Sequence, residues 1–365
     1  MNANVAIIGG GVAGAVTALE LAKAGVSVAL AEKEVSNDWK IGEGLPPAAK
    51  PILQQLGIWE RFIADDHLAS YGNCSAWGSR ELIDQSFVFN PHGNGWHLDR
   101  SRFDRTLMNV AVEAGAKLFS GAVVQDCWRS DPGWQLQLSN AEVISANFVV
   151  DASGRRSWFS RKQGAQRTSF DNLVAVAAVM ETKSEPIDHD SLTMIEAVVE
   201  GWWYAARLPG MKLAAVYLSD ADLEATRLAR TSDGWLSLLN QTVHLRKRIE
   251  RHGYRIALEP RIVSANSSRL DFAVGDSWLA VGDAAAAFDP LSSQGIVTAM
   301  ESGRLAAEII LAGQPRALKS YSDRLEQIFD VYLSNRNFYY SQERRWPDST
   351  FWQRRHGAKN DSTFD

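Results

Sequence analysis

Apolar and polar positions change rhythm twice along the chain. Val5 to Ile8 is apolar throughout, as a strand buried on both faces requires, and VAIIGGGVAGAVTALELAKAGVSVALAEKE reads as strand, turn, helix and strand, the second strand running from Val26 to Ala31. Residues 36–50 are irregular, and a short helix is expected from Leu45 toward Gly57. Residues 100–115 predict a further helix, AKLFSGAVV a strand, and WQLQLSN with VISANFVV a strand pair that returns to the first layer at VVDASG. From 173 to 270 the rhythm shifts to strands separated by turns: LVAVAAVM, LTMIEAVV, GWWYAARLP and MKLAAVYLS predict a meander. Ser277 to Val281 is a last short strand, a long helix begins near Ile296, and SYSDRLEQIFDVYLSNRNFYYSQER is a final helix. The pattern predicts an α/β fold in which a Rossmann-like domain (1–70, 98–165 and 270–318) is interleaved with a mainly antiparallel β-sheet domain (71–97 and 166–269). C-terminal helices and a tail (319–365) follow.

The turn after the first strand carries Gly9, Gly11 and Gly14 as G-x-G-x-x-G. The first glycine permits the tight turn, the second lets backbone approach a pyrophosphate, and the third lets the helix pack on the strand. Free N–H groups and the positive end of the helix dipole then face the phosphates. At the end of the second strand, Glu32 and the adjoining Lys33 are candidate cofactor contacts, and the Glu32 carboxylate suits ribose hydroxyls while repelling a 2′-phosphate. This unit fits NAD and FAD equally.

A second segment, VGDAAAAFDPLSSQGIVTAM, narrows the choice. Asp283, after Gly282, suits a sugar-like hydroxyl such as the ribityl chain of FAD. Small residues at 284–287 leave room for a broad ligand, and Pro290 opens a turn that leads through Gly295 and Ile296 into the long helix. N–H groups at that entrance suit the flavin pyrimidine edge, which gains negative charge on reduction.

Composition mainly excludes. With a formal net charge of -5, the chain has no basic field for a nucleic acid. No run of about 18 apolar residues predicts a membrane span, and the start lacks the basic and apolar regions of a signal peptide. Two cysteines, Cys74 and Cys127, form no CxxC pair and suit a reducing, cytoplasmic compartment. No metal site is expected. Thirteen Trp residues either line an aromatic pocket or fill a large core.

Together, the two glycine-bearing segments resemble the FAD fold of the aromatic hydroxylase type, which includes flavoprotein monooxygenases and flavin-dependent halogenases. The distal motif is matched by Gly282, Asp283, Ala284, Ala285, Pro290 and Gly295, and the middle motif loosely by Asp151, Gly154 and Ser157. Arg100, in HLDRSRFDRTL, matches a family arginine near the flavin; its alternative is a solvated helix cap. The resemblance runs from residue 4 to about 335 and implies FAD as cofactor, with Gly42, Glu43 and Gly44 near the ring. It also implies oxygen chemistry through a flavin C4a-hydroperoxide. A halogenase needs a lysine past the GEG segment, yet none occurs between Lys50 and Lys117, and Tyr204 and Ala206 replace the two tryptophans of the halogenase W-x-W-x-I-P signature.

IGEGLPP, SAWG, NPHGNGWHLDRSRFDRTL and GWWYAARLP nevertheless look like the halogenase-like branch, which includes flavoproteins that oxidise a peptidyl Trp to build a tryptophylquinone cofactor. The expected reaction is therefore monooxygenation of an aromatic, indole-type group on a small molecule or a Trp-containing partner protein. Electrons would come from NAD(P)H or a separate flavin reductase. Glu43, His92 and His97 are candidate acids or bases, each with a structural alternative. Trp96, Trp202 and Trp203 are candidate substrate contacts or core residues. A halogenase, a flavin oxidase or dehydrogenase, and a non-catalytic flavoprotein assembly factor stay open. The arginines at 344, 345, 354 and 355 fit a solvated helix or an acidic partner, and the segment that carries them either latches across the body or frays.

Overall fold

The computed structural model describes residues 1–33, 39–131 and 133–357; residues 36–38 of the irregular segment and 358–365 of the tail lie outside the described residues. Strand β1 (Asn2–Ile8) leads through the glycine turn into helix α1 (Val12–Lys23) and strand β2 (Val28–Glu32). Parallel pairing sets Val5 beside Val28 and, on the other side, Ile8 beside Asp151. Helix α2 (Arg100–Glu113) precedes β3 (Lys117–Ser120), which extends the sheet beyond β2. Beyond β1 come β4 (Val143–Asp151) and, from far along the chain, a short parallel strand at Trp278–Ala280. Strands at Val124–Ser130 and Gly133–Leu138 add antiparallel to β4. α1 is buried on nearly every side because its small residues, Ala13, Gly14, Ala15 and Ala18, let strand and helices approach closely.

The second layer is a seven-stranded sheet built around β5 (Leu173–Glu181), β6 (Thr193–Val198), β7 (Gly201–Leu208), β8 (Lys212–Asp220) and β9 (Arg255–Ser264). The four expected strands all form, but only three make a meander. β6, β7 and β8 follow one another, whereas β5 pairs with β8 and lies beside β9 at the sheet edge. Residues 182–192 carry the chain back across the sheet, and Asp188 pins that crossing. Its Oδ2 accepts from Arg248 Nε at 2.8 Å and from Tyr254 Oη at 3.1 Å. Successive side chains on β7 point to opposite faces, so Trp203 packs with Tyr217 and Trp235 on one side. Trp202 packs with Tyr340 and Trp352 on the other.

Three helices end the described chain: α3 (Gly295–Ala312) runs against α1, and α4 (Pro315–Gln342) continues to α5 (Thr350–His356). The C-terminal arginines correct the expectation of a solvated helix. Arg355 is buried and donates to Asp220 Oδ1 at 2.7 Å and Oδ2 at 3.2 Å. Arg354 reaches Asp220 at 2.9 Å, while Arg345 pairs with Glu343 and donates to Ala76 O at 3.1 Å. Arg344 stays outside, on Ser341 O. This segment is a latch. Among the described residues, no helix is long and apolar enough to cross a membrane.

Arg355→Met should destabilise the fold by about 3 kcal/mol, the low end of the roughly 3–5 kcal/mol for removing one member of a buried pair, because Arg354 still faces Asp220. Urea denaturation of the purified protein reads this; a midpoint equal to wild type would show that the latch contributes nothing.

Candidate active site

Steric limits define the first half of the site. Gly9 has φ +107°, and a Cβ there would fall 2.3 Å from Ala152 O. A Cβ on Gly14 would lie 1.9 Å from Gly9 O, so only glycine lets α1 press on the turn. Gly11 differs: among the described residues a Cβ there would meet no atom within 4 Å, and the residue caps α1 without using a side chain. The orphan N–H groups of the helix start thus face open space. Glu32 stands at the end of β2, where its Oε2 accepts from Gly10 N, and Lys33 is exposed beside it.

The second half meets the first across α1. Gly282 has φ +56° and would clash with Ala13 Cβ at 2.8 Å if it bore a side chain. Asp283 lies in a 3-10 turn, Gly282–Ala284, and the long helix begins at Gly295. The Asp283 carboxylate faces Arg155 at 3.5 Å. Arg155 belongs to the middle motif, and its long side chain gave no sequence signal for this contact. Asp151 of that motif turns inward, where Ser153 Oγ donates to it at 2.6 Å and Ser160 Oγ at 2.7 Å. Ser157 Oγ donates to Ala284 O at 2.8 Å, tying the middle motif to the distal one.

Between these halves and the second sheet lies a cavity of about 370 Å³, lined by Gly11, Glu43, Arg100, Asp283, Pro290, Gly295 and Ile296 among others. Arg155 and Tyr204 join them, and Ala175, Val216, Leu218, Val263 and Ala265 supply an apolar wall. Gly9, Gly14, Glu32, Lys33 and Gly282 are not among the lining residues. Arg100 is mostly buried and holds the GEG loop, donating to Gly42 O at 2.9 Å and Ile41 O at 3.3 Å; Asp104 braces it at 3.2 Å.

Glu43 is fully buried. Its Oε2 accepts from Gly42 N at 3.0 Å, and among the described residues Oε1 has no partner other than the Tyr204 hydroxyl. Burial raises the carboxyl above its ordinary pKa; its own and Gly42 N–H groups, the Tyr204 hydroxyl and Arg100 offset only part of that. Asp289, next to Pro290 on the lining, is likewise raised by burial, with Arg336 at 3.3 Å and the Tyr340 hydroxyl at 2.8 Å from its Oδ2. Trp202 Nε1 donates in turn to the Tyr340 oxygen at 3.0 Å.

The other expected contacts lie elsewhere. His92 is exposed in a turn. His97 is buried against Thr193 Oγ1 at 2.8 Å, and burial with the nearby Arg248 and Arg207 drives its pKa down to about 3, so it stays neutral. Trp96 packs edge-on to Trp59 and Phe62, and Trp202 and Trp203 fill the two faces of the second sheet. None of these five lines the cavity.

The glycine cradle, the open space at Gly11 and the small-residue floor under Gly282 fit a dinucleotide with a broad ring. The sequence profile of the FAD binding domain family matches residues 2–330, and the chain belongs to that family, in its halogenase-like branch: an FAD-dependent oxidoreductase of the monooxygenase class. It is 29% identical over 358 residues, 96% of each chain, to LodB of Marinomonas mediterranea, itself only provisionally named an FAD-dependent oxidoreductase. It is 28% identical to the 1H-pyrrole-2-carbonyl-[peptidyl-carrier protein] chlorinase of Pseudomonas fluorescens, covering 84% of this chain and 75% of that one. Its fold matches the flavin-dependent halogenase CmlS with a TM-score of 0.86 at 26% identity, over 99% of this chain and 68% of that one.

Gly11→Asp separates binding from folding. Asp is a good helix cap, so thermal stability should hold or rise, while its charge in the open space should weaken FAD binding at least about tenfold, a loss of roughly 1.4 kcal/mol. Flavin fluorescence quenching measures the affinity, and an unchanged value would place the pyrophosphate elsewhere. Glu43 gives a second test. Its pKa is higher folded than unfolded, so its contribution is fully present below the unfolded value and is lost as pH rises through the folded one. Glu43→Gln should flatten that decline in a pH series of denaturation midpoints.

Proposed function

We propose that this protein oxygenates an electron-rich aromatic ring of the indole type, carried as a Trp side chain on a partner protein. The observation that carries this reading is the cavity wall. Small and branched apolar residues from β5, β8 and β9 face the glycine turns, Glu43 and Tyr204 interrupt them, and no lysine stands among the described lining residues. Such a wall positions a flat ring and excludes water, which protects an oxidising centre. The absence of a lining lysine weighs against relay of a hypohalous acid and favours transfer of oxygen.

Bound FAD would supply the two-electron activation of oxygen. Gly11 and the start of α1 would hold its pyrophosphate, Glu32 its ribose, Asp283 its ribityl hydroxyls, and the N–H groups near Gly295 and Ile296 the pyrimidine edge. Arg100 keeps the GEG loop against the cavity. Glu43, with its unsatisfied Oε1, is the group placed to handle a proton. The pyrrole-acting relative in Pseudomonas works on a ring tethered to a carrier protein, which supports a substrate presented on a protein chain. Reduction by NAD(P)H or by a separate reductase, and a cytoplasmic setting for the free Cys74 and Cys127 thiols, complete the proposal.

The flavin absorption band should be followed anaerobically with NADH or NADPH, with and without a flavin reductase, and the reduced protein then exposed to ¹⁸O₂ with Trp-containing peptides and free indoles. Mass gain on a peptidyl Trp in multiples of one labelled oxygen is the expected result. Ring halogenation in the presence of halide, or oxidation without label, would overturn it.

A further inference from the structure

Tyr204 entered the sequence reading only as a departure from a halogenase signature, yet the fold carries it to the one buried carboxyl on the cavity's GEG loop. Glu43 arrives from that loop and Tyr204 from β7, and both side chains line the cavity. A Cβ on Gly44 would come 3.4 Å from the Tyr204 hydroxyl, which places that hydroxyl against the loop. The Glu43 carboxyl and the Tyr204 hydroxyl are close enough to act on each other, and among the described residues neither Glu43 Oε1 nor Tyr204 Oη has a hydrogen bond to any other group, although neither atom is exposed to solvent. Buried polar atoms without partners are uncommon and ask for an explanation. Two of them together, on one cavity wall, point to a group that a ligand or a moving proton completes.

We propose that Glu43 and Tyr204 work as one proton-handling pair, in which Glu43 takes the proton that the aromatic ring loses and Tyr204 orients that carboxyl and sets when it ionises. This rests on the ring-oxygenation reading above. In the step, a C–O bond forms at the ring, the ring C–H bond breaks, and its electron pair restores aromaticity while the proton passes to Glu43 Oε1. Molecular oxygen takes four electrons, two from the ring and two from the flavin's donor, and its second atom leaves as water. Glu43 is the catalytic residue; Tyr204 is a positioning residue.

The charges around the pair are few. Arg100 faces Glu43 from α2, with Asp104 and Lys40 behind it. His97, on the strand paired with Gly44, stays uncharged, and Arg155, Asp283 and Asp289 stand on the other cavity walls. Burial dominates both groups: it raises Glu43, and with the Glu43 charge it raises Tyr204 well above its ordinary value. The Tyr204 hydroxyl, in turn, eases Glu43 downward. Tyr204→Phe should therefore move Glu43 ionisation to higher pH.

The test is an infrared pH titration of the FAD-loaded protein, following the protonated carboxylic acid band, with flavin affinity measured alongside. Wild type should show a band that disappears above the ordinary glutamate range, Glu43→Gln should lack it, and Tyr204→Phe should shift its midpoint upward with FAD affinity unchanged. In turnover, the acid limb of kcat should follow the same shift with KM unmoved, and Glu43→Gln should lose at least about a hundredfold in kcat. A Tyr204→Phe midpoint that stays or falls, or a Glu43→Gln variant that keeps the band or the rate, would overturn the pair. The titration needs no substrate, so failure of wild type to oxygenate any ring would remove the functional reading while leaving the coupling separately measured.

Discussion

Everything at the site depends on how closely α1 is allowed to lie against its neighbours. Gly14 brings the helix onto the turn of β1, and Gly303 brings α3 onto the helix, where a Cβ would fall 2.5 Å from Ala13 O. Thr17 Oγ1 donates to Ala13 O at 2.8 Å and lies 3.1 Å from Gly303 O, bonding both helices at the crossing. Gly282 completes the set by passing beneath Ala13. Because these approaches are limited by backbone contact, they set the positions of the helix starts with little slack. Two segments far apart in sequence therefore meet with their N–H groups facing one space.

A second constraint works from the opposite side. The C-terminal latch closes on Asp220 at the end of β8, and α4 places Arg336 and Tyr340 against Asp289 on the cavity lining. Arg336 also reaches Asp171, just before β5, at 3.0 Å. The loop that enters α3 is thus fixed by charges that come from the C-terminal helix, and the apolar sheet wall is held at a set distance from it. Isolated, each of these buried charges would be costly; as a network in which each has a partner they favour one arrangement over others.

The two glycine-bearing segments were legible because their function is local: each needs particular backbone freedom at particular positions, and glycine writes that into the sequence. The strands were legible from their apolar runs for the same reason. What could not be read was anything set by crossings. The crossing from β5 to β6 is held where Asp188 meets Arg248 and Tyr254, residues far from it in sequence. The tryptophans of β7 went to cores because period-two alternation says that faces differ, without saying which face meets solvent, ligand or another layer. His97 looks like a catalytic group in a list of residue types and becomes an uncharged core residue once it sits against Thr193 beneath two arginines.

Tyr204 shows how a departure from a pattern can be informative in its own right. A tryptophan at this position would fill space with an indole; tyrosine brings a hydroxyl to a buried carboxyl on a wall that is otherwise apolar. In such surroundings a carboxyl oxygen and a phenol with little but each other to satisfy them are expensive to keep. Their place beside the glycine cradle puts a polar pair on a wall that is otherwise apolar. The apolar wall and the Glu43–Tyr204 pair thus come from separate segments of the chain, the GEG loop and the second sheet, and meet on one cavity.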